Sequence, residues 1–165
     1  MLQQIEDVKS HLVITPSAKS TIGVETEYSV SEIEELADEV HSARDIGASI
    51  ASGSFKTSGM IVAPCSIKTL SAIANSFGAD LVSRAADVTL KERRPLVLMV
   101  RETPFHLGHL GLMTKATEIG AVIYPPIPAF YNNPENLEDV VDHSVGRALD
   151  HLGIDVAGLK RWEGR

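Results

Sequence analysis

Four side chains in this sequence are of the types that hold a small phosphate monoester: Arg84, Lys91, Tyr131 and Arg147. Guanidinium and ammonium groups supply concentrated positive charge and, for arginine, paired donors. Arg84 and Lys91 fall two turns apart in a helix expected over residues 81–92, so they share a face and lie ~10 Å apart along its axis. Long side chains from that face can reach one dianion, although a solvated face without a partner is the commoner outcome. A second group is the turn Cys65-Ser66-Ile67-Lys68-Thr69, between a short strand over residues 60–63 and a helix over residues 70–75. Free N–H groups at a helix start, with the hydroxyls of Ser66 and Thr69, form a cradle for a phosphate or a ring edge. The same residues are ordinary helix caps. A third group is Arg101-Glu102, directly after the apolar run 96–100. Glu102 has the chemistry of a general acid or base, and Arg101 can hold a ring or its oxygen edge.

Two further candidates are weaker. His106 and His109 are three apart, a spacing that can place two imidazoles on one metal, but no cysteine or carboxylate beside them completes a ligand set. Cys65 stands at a helix start, where thiolates are stabilised, yet a small thiol at a strand end is more often buried and inert. No Gly-x-Ser-x-Gly, Walker or His-Glu-x-x-His pattern occurs.

These residues need a scaffold, and the run LVLMV at 96–100 is its centre. A strand that apolar is buried on both faces, as in parallel sheets, and open α/β sheets place ligands at the carboxyl ends of such strands. Residues 1–8 read as the tail of a helix and residues 11–15 as a strand. Ser17 and Ser20 are candidate caps of a short helix. A capping box over residues 31–34 precedes Ile33, Leu36, Ala37 and Val40, which share one helical face. Residues 48–54 (ASIASGS) are small and flexible, suited to close backbone approach. A helix over residues 109–118 closes at Gly120, and residues 121–124 form another strand. Pro125-Pro126-Ile127-Pro128 forces an extended path presenting Phe130 and Tyr131. Asn136 with Asp139 caps a last helix that ends at Gly153 and whose buried face is Leu137, Val140, Val141, Ser144, Ala148 and Leu149, with Arg147 beside it. Trp162, the single tryptophan, is expected to pack on its own domain or a neighbour. Alternating strands and helices predict one α/β domain over residues 1–165, a doubly wound, Rossmann-like parallel sheet between helical layers, with the anion contacts near the strand ends.

The chain has 165 residues, a formal charge of -7 and a pI near 5.3, which argues against a general affinity for nucleic acid or an anionic membrane and requires any cationic site to be local. A single cysteine excludes an internal disulfide framework and fits a reducing compartment. No apolar run approaches the ~20 residues of a membrane span, and the start does not read as a signal peptide. The expectation is a cytoplasmic protein.

The segments ASGSF, PCSIKTLS, SRAADVTLKERRPLVLMVRETP, PPIPAFYNNP and the closing KRW together resemble the UbiX-type flavin prenyltransferases, formerly described as aromatic acid decarboxylases. The resemblance covers nearly all of the chain from His11 onward. It implies a three-layer flavoprotein fold and a homo-oligomer, usually a dodecamer, with sites at subunit interfaces. It also implies metal-free transfer of a dimethylallyl group from dimethylallyl phosphate to N5 of reduced FMN, closing at C6, and delivery of the prenylated FMN to a UbiD-type decarboxylase. Position by position, Thr15 matches a serine on the FMN phosphate, and Ser66, Ile67, Lys68 and Thr69 match the FMN-binding turn. Arg101 matches a flavin contact, and Glu102 the residue implicated in proton transfer. Tyr131 and Arg147 match contacts to the dimethylallyl phosphate, with Arg84 and Lys91 in the same pocket, and Trp162 resembles an aromatic residue that closes over the prenyl group. Relatives of this type open on a strand and a Gly-rich flavin loop that the sequence lacks, so the expectation is a front that is either truncated or degenerate, without the central strand of the sheet. Other readings are a non-catalytic FMN-binding accessory subunit or pseudoenzyme, and direct decarboxylation of an aromatic or cysteinyl acid.

Overall fold

The computed structural model describes residues 1–162 and 164. At its centre lies β4 (Leu96–Val100), whose five residues are all buried, as an unbroken apolar run requires. It pairs in parallel with β3 (Met60–Cys65) on one side and β5 (Val122–Ile123) on the other. Alternate side chains of β4 leave by opposite faces. Leu96, Leu98 and Val100 pack with Val62, Leu70, Ile73, Val82, Ala86 and Ala116. Val62 belongs to β3, and the others come from α3 (Ile67–Ala74), α4 (Leu81–Lys91) and α5 (Leu107–Glu118). Val97 and Met99 face the other way, onto Ala148 of α6 (Leu137–Asp150), with Tyr124 and Leu152 beside it. Helices therefore cover both faces of this sheet, and the layered α/β expectation holds.

A second parallel sheet joins β1 (His11–Ile14) to β2 (Glu39–Ser42), in the register His11 with Glu39 and Val13 with His41. Among the described residues the parallel strands thus form two sheets, and Val13 meets the central core by packing alone. Ser10 clasps the start of β2: its N–H and hydroxyl both donate to Asp38 at 2.7 Å, and Asp38 N–H donates back to its Oγ.

Several local expectations shift. Residues 1–8 hold one 3-10 turn, Leu2–Gln4, rather than a helix tail. α1 (Pro16–Glu25) is capped by Thr15, with Pro16 in the first turn where its missing N–H costs nothing, so Ser17 and Ser20 lie inside the helix. The capping box is Ser29 to Glu32, not residues 31–34, and the helix it starts, α2 (Val30–Glu34), is a single turn. Ala37 and Val40 are outside it; the residues that follow become β2, because pairing with β1 satisfies their backbone. In β3 the strand continues through Pro64 to Cys65, with an irregularity between Val62 and Cys65 that absorbs the missing proline donor. On α6, Ser144, Ala148 and Leu149 are buried as expected, but Leu137 and Val141 are exposed.

Candidate active site

The carboxyl ends of β3 and β4 are joined by a bond from Arg101 N–H to the Cys65 carbonyl at 3.1 Å. That bond places Arg101-Glu102 beside the start of α3. Ser66 caps α3 by accepting from Thr69 N–H, and its hydroxyl lies 3.1 Å from that of Thr69. The N–H groups of Ile67 and Lys68 have no carbonyl a turn earlier to meet, so they remain available to an anion. Ser66, Lys68, Arg101 and Glu102 are exposed, while Ile67 and Thr69 are half-buried. Glu102 turns one oxygen back to accept from Thr103 N–H at 3.0 Å. Cys65, just beneath, is fully buried, and burial pushes its thiol up to about 12, which makes it a packing residue rather than a nucleophile. Thr15, at the end of β1, uses its hydroxyl to accept from Ala18 N–H at 3.2 Å.

Arg84 and Lys91 stand elsewhere, on α4. Lys91 ends α4, on the side that leads into the amino end of β4, whereas Arg101 follows its carboxyl end, and Lys91 pairs with Glu92. The chain segment 43–57 runs alongside this helix and is pinned at successive carbonyls. Leu81 N–H donates to Ala43 at 2.9 Å, and Arg84 Nε to Ala51 at 3.3 Å. Arg94 donates to Phe55 and Gly53, both at 2.8 Å. An added Cβ at Gly53 would meet the Glu92 carboxylate and come 2.6 Å from Lys91 Nζ, so those side chains would have to move aside. The flexible stretch expected over residues 48–54 is thus a backbone laid against the cationic end of α4. Arg94, which the sequence shows only as part of a basic turn, is its main anchor.

Tyr131, Arg147 and Trp162 form a third group, on the α6 side of the sheet. Tyr131 shares a hydrogen bond with His143 Nε2 at 3.2 Å and meets Trp162 edge to face at 6.2 Å. The tail reaches this position because Leu159 packs into the space over Gly146, where a Cβ would lie 2.8 Å away. Trp162 stays 64% exposed, so its expected packing is an edge contact only. Arg147 is exposed and pairs with Asp150, which also takes two bonds from Arg161, at 2.7 and 2.8 Å. Arg161 first, and then Arg147, hold the Asp150 carboxyl below its usual range.

Within one chain, then, the four candidate phosphate contacts do not converge. Arg84 and Lys91 project from a helix on one face of β3-β4-β5, and Tyr131 and Arg147 belong to the layer on the other. The sheet separates them. The large apolar residues left open near the third group, Ile127, Phe130, Leu137 and Val141, are each at least half exposed. They form the sort of surface that a neighbouring chain covers. His106 and His109, the weak metal candidate, are used otherwise: His106 caps α5 by accepting from Gly108 N–H at 3.0 Å, and the two rings lie 3.6 Å apart between centroids.

A profile of the family described as Flavoprotein matches residues 1–148. The flavin prenyltransferase UbiX of Thauera aromatica is 60% identical over 163 residues, spanning 99% of this chain and 84% of the relative. That of Escherichia coli (strain K12) is 55% identical over 166 residues, spanning 99% and 88%. Coverage of 99% of the chain gives no support to the expectation of a truncated front. Among solved structures, a dodecameric FMN-dependent UbiX-like decarboxylase from Escherichia coli O157:H7 superposes with a TM-score of 0.94 at 47% identity, covering 99% of this chain and 88% of that one. AnUbiX in complex with FMN and dimethylallyl pyrophosphate superposes with a TM-score of 0.93 at 51% identity, covering 96% and 85%.

Proposed function

The chain belongs to the family of UbiX flavin prenyltransferases, and from that premise we propose how its residues divide the work of prenylating reduced FMN. The reaction takes a dimethylallyl group from dimethylallyl phosphate. Its C–O bond to phosphate breaks, a bond to N5 of the flavin forms, and ring closure follows at C6. The barrier lies in ionising the allylic C–O bond, so donors that stabilise the departing phosphate are the protein's main contribution.

One observation supports the reading above the others: the start of α3 lies beside Arg101-Glu102, tied by the bond from Arg101 N–H to the Cys65 carbonyl. FMN lies against that turn, with Ser66, Ile67, Lys68 and Thr69 around it, Thr15 on its phosphate and Arg101 on its ring. Glu102 moves the proton released as the new bonds form. Arg84, Lys91, Tyr131 and Arg147 hold the phosphate of the prenyl donor, and Trp162 offers a π face to the allylic group. Because the sheet divides the four phosphate contacts, a complete pocket draws them from more than one copy of the chain, in a closed assembly such as the dodecamer of the Escherichia coli O157:H7 relative. Prenylated FMN then passes to a UbiD-type decarboxylase in the cytoplasm. No helix among the described residues is long and apolar enough to cross a membrane.

The test is to mix the protein with reduced FMN and dimethylallyl phosphate and examine the flavin by mass spectrometry. A flavin carrying one five-carbon group at N5 is expected. Unmodified FMN, bound but unchanged, would instead favour the accessory-subunit reading.

A further inference from the structure

The pairing of β1 with β2 brings together three side chains that take no part in prenyl transfer. In that register His11 lies opposite Glu39, and His41 lies two residues along on the same face. His11 Nδ1 is 3.0 Å from His41 Nε2 and 3.2 Å from Glu39 Oε2, and His41 Nε2 is 3.7 Å from the same oxygen. Both imidazoles are largely enclosed, at 13% side-chain exposure, with the edge of Phe55 against His11. The carboxylate is the more open of the three. Its other oxygen accepts from Lys9 at 2.6 Å, which fixes the carboxylate with Oε2 facing the rings.

Three atoms able to act as metal ligands therefore converge on one point. A proton on either ring serves one or two edges of the triangle, not all three at once. A cation satisfies all three. The structure assigns this point to a borderline divalent transition-metal ion, zinc above all, held by His11 Nδ1, His41 Nε2 and Glu39 Oε2. The dimensions agree: an ion about 2.05 Å from each atom of a triangle with these sides lies about 0.7 Å out of its plane, the displacement that tetrahedral coordination requires. The fourth position is open on the carboxylate side, for water. Two imidazoles and one carboxylate favour zinc over calcium or magnesium, which prefer all-oxygen sets. Metal bound there ties β1 to β2, a pair that otherwise depends on four residues per strand.

The test uses the intact protein after chelator treatment and dialysis, titrated first with Co2+ and then with Zn2+. One ion per chain is expected, with the strong visible absorption of four-coordinate cobalt, its displacement by zinc, and a rise in Tm on zinc addition. Glu39→Gln, a near-isosteric change at a half-buried side chain, should weaken zinc at least ~10-fold. His11→Gln with His41→Gln should abolish the cobalt spectrum while circular dichroism stays that of the parent. Absence of stoichiometric uptake by the parent overturns the assignment. So does uptake that persists unchanged in Glu39→Gln or in the double histidine variant.

Discussion

Replacing Arg94 with Met keeps the aliphatic stem and removes the guanidinium that anchors the 43–57 segment. Two carbonyls, Gly53 and Phe55, lose charge-assisted bonds of 2.8 Å. Such bonds are worth about 1.5–3 kcal/mol each when sheltered, and half-burial of Arg94 lets water recover part of that, leaving a cost of about 2 kcal/mol for the pair. For a chain of this length that is a fall in Tm of roughly 4–8 °C, read by circular dichroism at fixed protein concentration so that assembly does not shift the comparison. The loss has a functional counterpart, because the segment lies against Lys91 through Gly53. With the segment loosened, KM for dimethylallyl phosphate should rise while bound FMN is retained. Arg94→Lys should rescue little, since one ammonium cannot span both carbonyls. A Tm within about 1 °C of the parent, with KM unchanged, would refute the anchoring role.

Other expectations follow from the same geometry. Glu102→Gln should slow turnover more than it weakens FMN retention, and Arg147→Ala should act mainly by raising KM for the prenyl phosphate; steady-state kinetics beside flavin absorbance separates the two. Asp150 binds its proton more weakly in the folded chain than in the unfolded one, because Arg161 and Arg147 favour the carboxylate. Its contribution is therefore complete above the unfolded value of about 3.9 and is lost as pH falls through the lower folded value. Asp150→Asn should flatten that part of the acid limb in denaturation measured from neutral pH downward.

How far the sequence disclosed this depends on whether the deciding interaction was local. The run at 96–100 is legible because five consecutive apolar residues have few other fates, and Asn136 is legible because its cap partner, Asp139, is three residues away. β2 was not: Ile33, Leu36, Ala37 and Val40 have helical spacing, and only the partner strand 28 residues earlier makes Glu39–Ser42 extended. The capping box was ambiguous for the same reason, since Ser29 and Ser31 both precede a glutamate by three. Arg94 could not be singled out because its partners are 39 and 41 residues distant. The candidate phosphate contacts were chosen by type, but side-chain chemistry says nothing about which face of a sheet each one occupies. His11, Glu39 and His41 become a cluster only once the β1–β2 register is known.

The central claim, that one pocket is completed by different copies of the chain, is tested by mixing two impaired variants. Lys91→Ala and Glu102→Gln impair groups at opposite ends of β4, so co-assembled oligomers containing both should include sites with two intact halves. At equal proportions roughly a quarter of the parent rate should return on top of the residual rates of the two variants measured separately. Mixed assemblies, verified by native mass spectrometry, whose rate does not exceed the mean of the two variants would contradict the account.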